Sequence, residues 1–138
     1  MRERSDGLNS SREQNGNEEK GATLNGQAPE AMRAARIAAL NDELRRHGSG
    51  GLVLVTNGIA CLEPSTVRAI LNEVAAFDAF TPDNDPWNEH DCAALTVKGV
   101  SVLWKIDYYD RQRQFHSPDP ADPKLTVRVL TIMLAEEY

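Results

Sequence analysis

No stretch of this 138-residue sequence is apolar for long enough to cross a bilayer, and no secretory leader is legible, so the chain is expected to be cytosolic. Cysteine is scarce too. Cys61 and Cys92 lie far apart and form no C-x-x-C pair; their apolar neighbours place them as small, reduced core residues rather than reactive thiols. Cationic side chains are few where a fold is expected. Residues 49–138 carry seven Lys and Arg against thirteen Asp and Glu, whereas the first 48 residues balance at eight and eight. A simple nucleic-acid binder needs a basic face to neutralise phosphates, and that deficit argues against one. It suits a basic partner surface, or solubility alone. Apolar residues are almost missing from the first 28 positions, where only Met1, Leu8, Ala22, Leu24 and Ala28 interrupt Ser, Asn, Gln, Gly and charge. Such a segment cannot bury enough surface to offset its ordering entropy. The expectation is a disordered arm over 1–28 and a single domain over 29–138, large enough for one core.

What is present supports a small α+β domain. A helix is predicted from about Pro29 to His47, with Ile37, Leu40 and Leu44 on one face, Arg45, Arg46 and His47 in its last turn, and Gly48 as the stop. Leu52–Thr56 reads as a strand. Asn57-Gly58 then signals a hairpin turn with Ile59–Leu62 as the returning strand, the alternative being one strand that ends in a loop there. After Pro64-Ser65, residues Val67, Ile70, Leu71, Val74 and Phe77 recur at helical spacing. Two strands follow, Ala93–Lys98 and Val100–Tyr109, joined by a tight turn at Lys98-Gly99. On the second, Val100, Val102, Trp104, Ile106 and Tyr108 share the core face. Proline at 118, 120 and 123 forbids regular structure across SPDPADP. In the final segment, KLTVRVLTIMLAEEY, β-branched residues favour a strand, but a stripe of Leu125, Val129, Leu130, Met133 and Leu134 after Asp122-Pro123 favours a helix. Taking helix gives the order α-β-β-α-β-β-α: a small antiparallel sheet with about three packed helices.

The unusual chemistry gathers between Thr81 and Asp110. The loop TPDNDPWNEHD puts Asp83, Asp85, Glu89, His90 and Asp91 within nine residues. Divalent cations take such ligands, yet the calcium-loop pattern fails, because Trp87 stands at a ligand position and the turn glycine is missing. Asp and Asn beside Pro are also ordinary turn residues, so no metal or cofactor is expected. A hydrolase would need His90 as base, Asp107 or Asp91 to orient it, and Ser117 or Cys92 as nucleophile, without a nucleophile-elbow pattern around either. Lys105 and Asp107, two apart on one strand face, more simply pair with each other. The remaining reading is a docking patch. Trp87, Tyr109 and Tyr108 would supply contact area at low entropic cost, with Tyr108 as readily a core residue. A rim of Asp83, Asp85, Glu89, Asp91, Asp107 and Asp110 beside His90 would attract cations on a partner.

Three segments, TPDNDPWNEHD, WKIDYYD and RVLTIMLAEEY after SPDPADP, resemble the motifs of a family of small proteobacterial proteins classed as domain of unknown function 3768. The likeness runs from about Ile37 to Tyr138 and brings no catalytic assignments. It implies a setting among accessory genes of plasmids and other mobile elements, where small anti-defence proteins occur. The expectation that results is a non-enzymatic, cytosolic binding protein whose acidic surface engages a basic protein, most concretely a nucleic-acid-directed defence complex of the restriction or CRISPR type, presenting charge where phosphates would lie. A metal-dependent hydrolase using the acidic loop and a self-associating accessory protein are the alternatives.

Overall fold

The computed structural model describes residues 27–138. The arm expected over 1–28 lies outside the described residues except for its last two positions, which open helix α1 (Gln27–His47). Ala35–Tyr138 form one compact unit, and the first turns of α1, up to Ala34, are counted outside it. The unit is an α+β fold. After α1 come strand β1 (Gly51–Val55), a single helical turn α2 (Asn57–Ala60), helix α3 (Pro64–Ala76), strands β2 (Cys92–Val97), β3 (Val100–Tyr109) and β4 (Val127–Leu134), and a closing 3₁₀ turn at Ala135–Glu137. No helix among the described residues is long and apolar enough to cross a membrane.

The strands lie in the order β1-β4-β3-β2, with β1 parallel to β4 and the other pairs antiparallel. Two expectations are corrected here. The final segment is not a helix but the strand β4, inserted between β1 and β3, so the sheet is mixed and the element order is α-β-α-α-β-β-β. A strand flanked on both sides buries side chains even on its open face, Val129 and Met133 among them, and VRVLTIML supplies apolar residues at nearly every position. Its apparent helical stripe is what any near-continuous apolar run produces. The AEE ending does turn helically, but only for the 3₁₀ turn. Asn57-Gly58 makes no hairpin either. Those residues start α2, whose Ala60 and Cys61 amides bond back to Thr56 and Asn57, and β1 pairs with β4 instead of with a returning strand. Of the two readings, one strand that stops there is the closer.

The hairpin forms as expected, with Lys98 and Gly99 at φ 50° and 78°, the left-handed pair a tight two-residue turn requires. Alternation along β3 sends Val102, Trp104, Ile106 and Tyr108 to one face, and the register puts Leu134, Ile132, Leu130 and Arg128 of β4 beside them. Ile37 and Leu44 of α1, Ile59 of α2, and Ile70 and Val74 of α3 close over this face to form the core. Among the described residues no helix packs on the opposite face, where Leu103, Lys105, Asp107 and Tyr109 lie with Val129, Thr131 and Met133 of β4 and Leu52 and Leu54 of β1. Neither cysteine is a core residue. Cys61 follows α2 and Cys92 begins β2 on the open face, both exposed.

Candidate functional site

Between α3 and β2 the chain makes a long excursion, 77–91, over the core face of the sheet. Arg45, buried on α1, fixes its start. One guanidinium nitrogen donates to the carbonyls of Val74, Ala75 and Phe77, at 2.9, 2.9 and 2.8 Å, capping the C-terminus of α3, while another donates to Asp42 at 2.9 Å. Burial pulls the Arg45 pKa below its ordinary value, opposed by Asp42. The same guanidinium lies over Phe80 and Trp104, 5.5 and 5.2 Å from their ring centres, and Phe77 and Phe80 both meet Trp104 edge-on.

The acidic loop is knitted by its own polar groups. Thr81 and Asn84 exchange side-chain to backbone hydrogen bonds, and the Asp85 amide donates to the Thr81 carbonyl at 2.8 Å. Asp85 points inward and is only 3 % exposed; its Oδ1 accepts the amides of Glu89 and His90 at 3.2 and 3.1 Å. That closure sets Asn88 and His90 at φ 59° and 56°. His90 is held there from three sides: Nδ1 donates to the Asp42 carboxylate at 3.0 Å, the ring stacks on Phe80 at 4.0 Å, and Nε2 stands 3.7 Å from Asp85 Oδ2. Trp87, by contrast, is 75 % exposed, and Asp83 is exposed beside it.

Below the loop runs a buried polar chain. Asn41 of α1 donates to the Glu89 carbonyl and to the Tyr108 hydroxyl at 2.9 and 2.8 Å, and accepts from Arg128 Nε at 2.8 Å. The Tyr108 hydroxyl donates onward to Glu89 Oε1 at 3.0 Å. Burial, with Glu89 and Asp91 nearby, pushes the Tyr108 pKa far above its ordinary value, so it keeps the proton it donates. Arg128, whose pKa burial lowers, also donates to the Pro120 carbonyl and lies 5.2 Å from the Tyr108 ring centre.

The nine residues expected to form one patch therefore divide. Trp87 and Asp83 face solvent; Asp85 is turned inward as the loop's staple. Glu89, His90 and Asp91 are half-buried, and the first two are engaged with Tyr108 and Asp42. Asp107 and Tyr109 lie on the other face of the sheet, where Asp107 pairs with Lys105 at 2.8 Å, as expected, and raises its pKa. Asp110 spends its carboxylate on the turn that follows β3, accepting the amides of Gln114 and Phe115. The hydrolytic set is not assembled. His90 meets Asp42 rather than Asp91 or Asp107. Ser117 is buried and bonded to Thr126 at 2.7 Å, and Cys92 opens on the opposite face, its thiol pKa raised by burial. Among the described residues, no three His, Cys, Asp or Glu side chains converge as metal ligands do.

Asn41, Asp42, Arg45 and Arg128 were missed. Two signals could have found three of them. Asn41 and Arg45 continue the stripe of Ile37 at i+4 and i+8, and Arg128 is the lone charge in an apolar run.

A family model described as "Protein of unknown function (DUF3768)" matches residues 55–137. The chain belongs to that family. The DUF3768 match spans the loop, the hairpin and β4; α1, which supplies Asn41, Asp42 and Arg45, lies before it. No curated protein and no solved structure matches the chain.

Asp91 provides a pH test of the loop's packing. Burial is the main cause that raises its pKa, with the charges of Glu89, Asp85 and Asp107 adding to it. The folded state then binds more protons than the unfolded one between the two pKa values, so this residue's contribution falls as pH rises through that window. At neutral pH the ionised group is a net cost. Asp91→Asn is expected to raise the urea midpoint at neutral pH and to lose that advantage below the carboxylate range. An equal or lower midpoint at neutral pH would contradict the burial argument.

Proposed function

We propose that the protein is a non-enzymatic binding protein of the cytoplasm that docks Trp87, with the exposed carboxylates of its loop, on a basic protein surface. The observation that carries this reading is Trp87 itself, a large aromatic left three-quarters exposed on a loop whose backbone is tied down at Thr81, Asn84, Asp85 and His90. A ring presented this way adds contact area without a further backbone ordering cost, which favours it as an aromatic anchor. Asp78 and Asp83, exposed on the same excursion, supply the charge that steers cations towards it. Asp107 and Tyr109 belong to another surface and take no part. A nucleic-acid-directed defence complex is the partner class to test first. It offers cationic grooves, and the motif resemblance suggests a mobile-element setting.

The expected result is capture of a basic protein by the tagged chain from host lysate, weakening steeply as salt rises. Trp87→Ala is expected to weaken that capture by about thirtyfold, roughly 2 kcal/mol, with its urea midpoint unchanged. Capture that is absent even at low salt, or indifferent to Trp87→Ala, would remove the proposal.

A further inference from the structure

Among the described residues, strand β1 ends the sheet without any of the devices that guard an edge. It has no lysine, no proline and no bulge, and Leu52, Val53, Leu54 and Val55 remain 39, 42, 50 and 39 % exposed. The Thr56 amide donates to the Ile132 carbonyl of β4 at 3.0 Å. Alternation along the strand therefore turns the amides and carbonyls of Leu52 and Leu54 towards β4, and those of Gly51, Val53 and Val55 outwards to solvent.

We propose that this edge pairs with the same edge of a second copy, in antiparallel register with Val53 on the two-fold axis. In that register each outward residue meets another outward residue: Val53 its counterpart, and Gly51 of one copy Val55 of the other. Each exchanges both its N–H and its C=O, whereas a shift of one residue would set outward groups against inward ones. The two open faces become one surface, with Leu52 of one copy beside Leu54 of the other. There they border a hollow of about 560 Å³ that Val129, Tyr109 and Arg113 also line.

Charge favours a second copy as the occupant. The chain carries a net charge of −6, so most surfaces of two copies repel, but residues 48–62 hold no Lys, Arg, Asp or Glu. Antiparallel pairing also brings the α1 end that carries exposed Arg46 towards the far end of the other copy's β1, where Glu137 bonds Thr56 and Gly58. The N-terminal segment 1–26 is a poor occupant, since Met1, Leu8, Ala22 and Leu24 are its only apolar residues. Two five-residue strands make a small interface, so association in the micromolar range is expected.

The test is sedimentation of the full chain across that range. Wild type is expected to pass from monomer to dimer. Val53→Lys and Val53→Glu, each placing like charges on the axis, are expected to weaken association about tenfold or more, and an equimolar mixture of the two to restore it. Leu54→Glu, on the open face and half exposed, is expected to weaken association without disturbing the side of the sheet that packs on the helices; far-ultraviolet dichroism checks that all variants fold. Several results would overturn the proposal: a wild-type chain that stays monomeric, a Val53→Lys or Leu54→Glu chain that associates like wild type, or a lysine–glutamate mixture that stays monomeric. None of these outcomes depends on Trp87, so the two surfaces are tested separately.

Discussion

Replacing Arg45 by methionine is expected to remove about 3 to 5 kcal/mol from the unfolding free energy, read from urea denaturation with both the midpoint and the slope fitted. Methionine keeps most of the volume and apolar stem, so the loss isolates the guanidinium. Three carbonyls at the end of α3 lose the guanidinium; Val74 keeps the Phe77 amide at 3.3 Å, and a buried acceptor left with no donor costs about 1 to 3 kcal/mol. Asp42 keeps His90 but loses its second partner. The cation over Phe80 and Trp104 goes as well. Arg45→Lys is expected to recover part of the loss, since one ammonium cannot span the three carbonyls and Asp42 together. Arg46→Met, one position on but exposed, should fall within about 0.5 kcal/mol of wild type. Equal effects at 45 and 46 would mean that the α3 cap contributes nothing to folding.

Local signals in the sequence held where the structure is local. Helix α1 ends at its cationic turn, α3 starts at Pro64, and the β2–β3 hairpin turns at Lys98-Gly99 with Trp104 and Tyr108 inward, all within a residue or two of expectation. The failures concern partners far apart in the chain. Whether Leu52–Val55 folds back on Ile59–Leu62 or waits for Arg128–Ile132 depends on a strand more than seventy residues later. Asn57-Gly58 carries no information about that choice. Asp122-Pro123 illustrates the same limit: the Asp122 carboxylate does accept a nearby amide, that of Lys124 at 2.9 Å, but the turn it stabilises leads into a strand.

The candidate patch failed for a different reason. Counting carboxylates along TPDNDPWNEHD gives their number but not their direction. Asp85 was read as surface charge because nothing local shows that the amides of Glu89 and His90 turn back onto it. Period-two alternation along β3 was visible, and it already separated Asp107 and Tyr109 from Tyr108. What it could not show is that the acidic loop crosses the Tyr108 side, leaving the Asp107 side uncovered by any described residue of the loop or helices. Exposure of Trp87 was legible because it follows Pro86 between polar residues, with no apolar neighbour at strand or helix spacing.

Asn41→Leu is expected to cost about 3 kcal/mol or more, although the replacement is close in size and more apolar. The amide is fully buried at the junction of three elements. Leucine would leave the buried Arg128 Nε without its acceptor and the half-buried Glu89 carbonyl without its donor. The Tyr108 hydroxyl still donates to Glu89, so that bond survives as a partial brake on the loss. Arg128→Met alone should also destabilise, since it strands Asn41 Oδ1 and the Pro120 carbonyl. Combining Asn41→Leu with Arg128→Met removes donor and acceptor together, so the double variant should lose less than the sum of the single losses, by more than about 1 kcal/mol. A double-mutant cycle by urea denaturation measures that coupling. Strict additivity would show that the two residues act separately, and that the polar chain beneath the loop is not one unit.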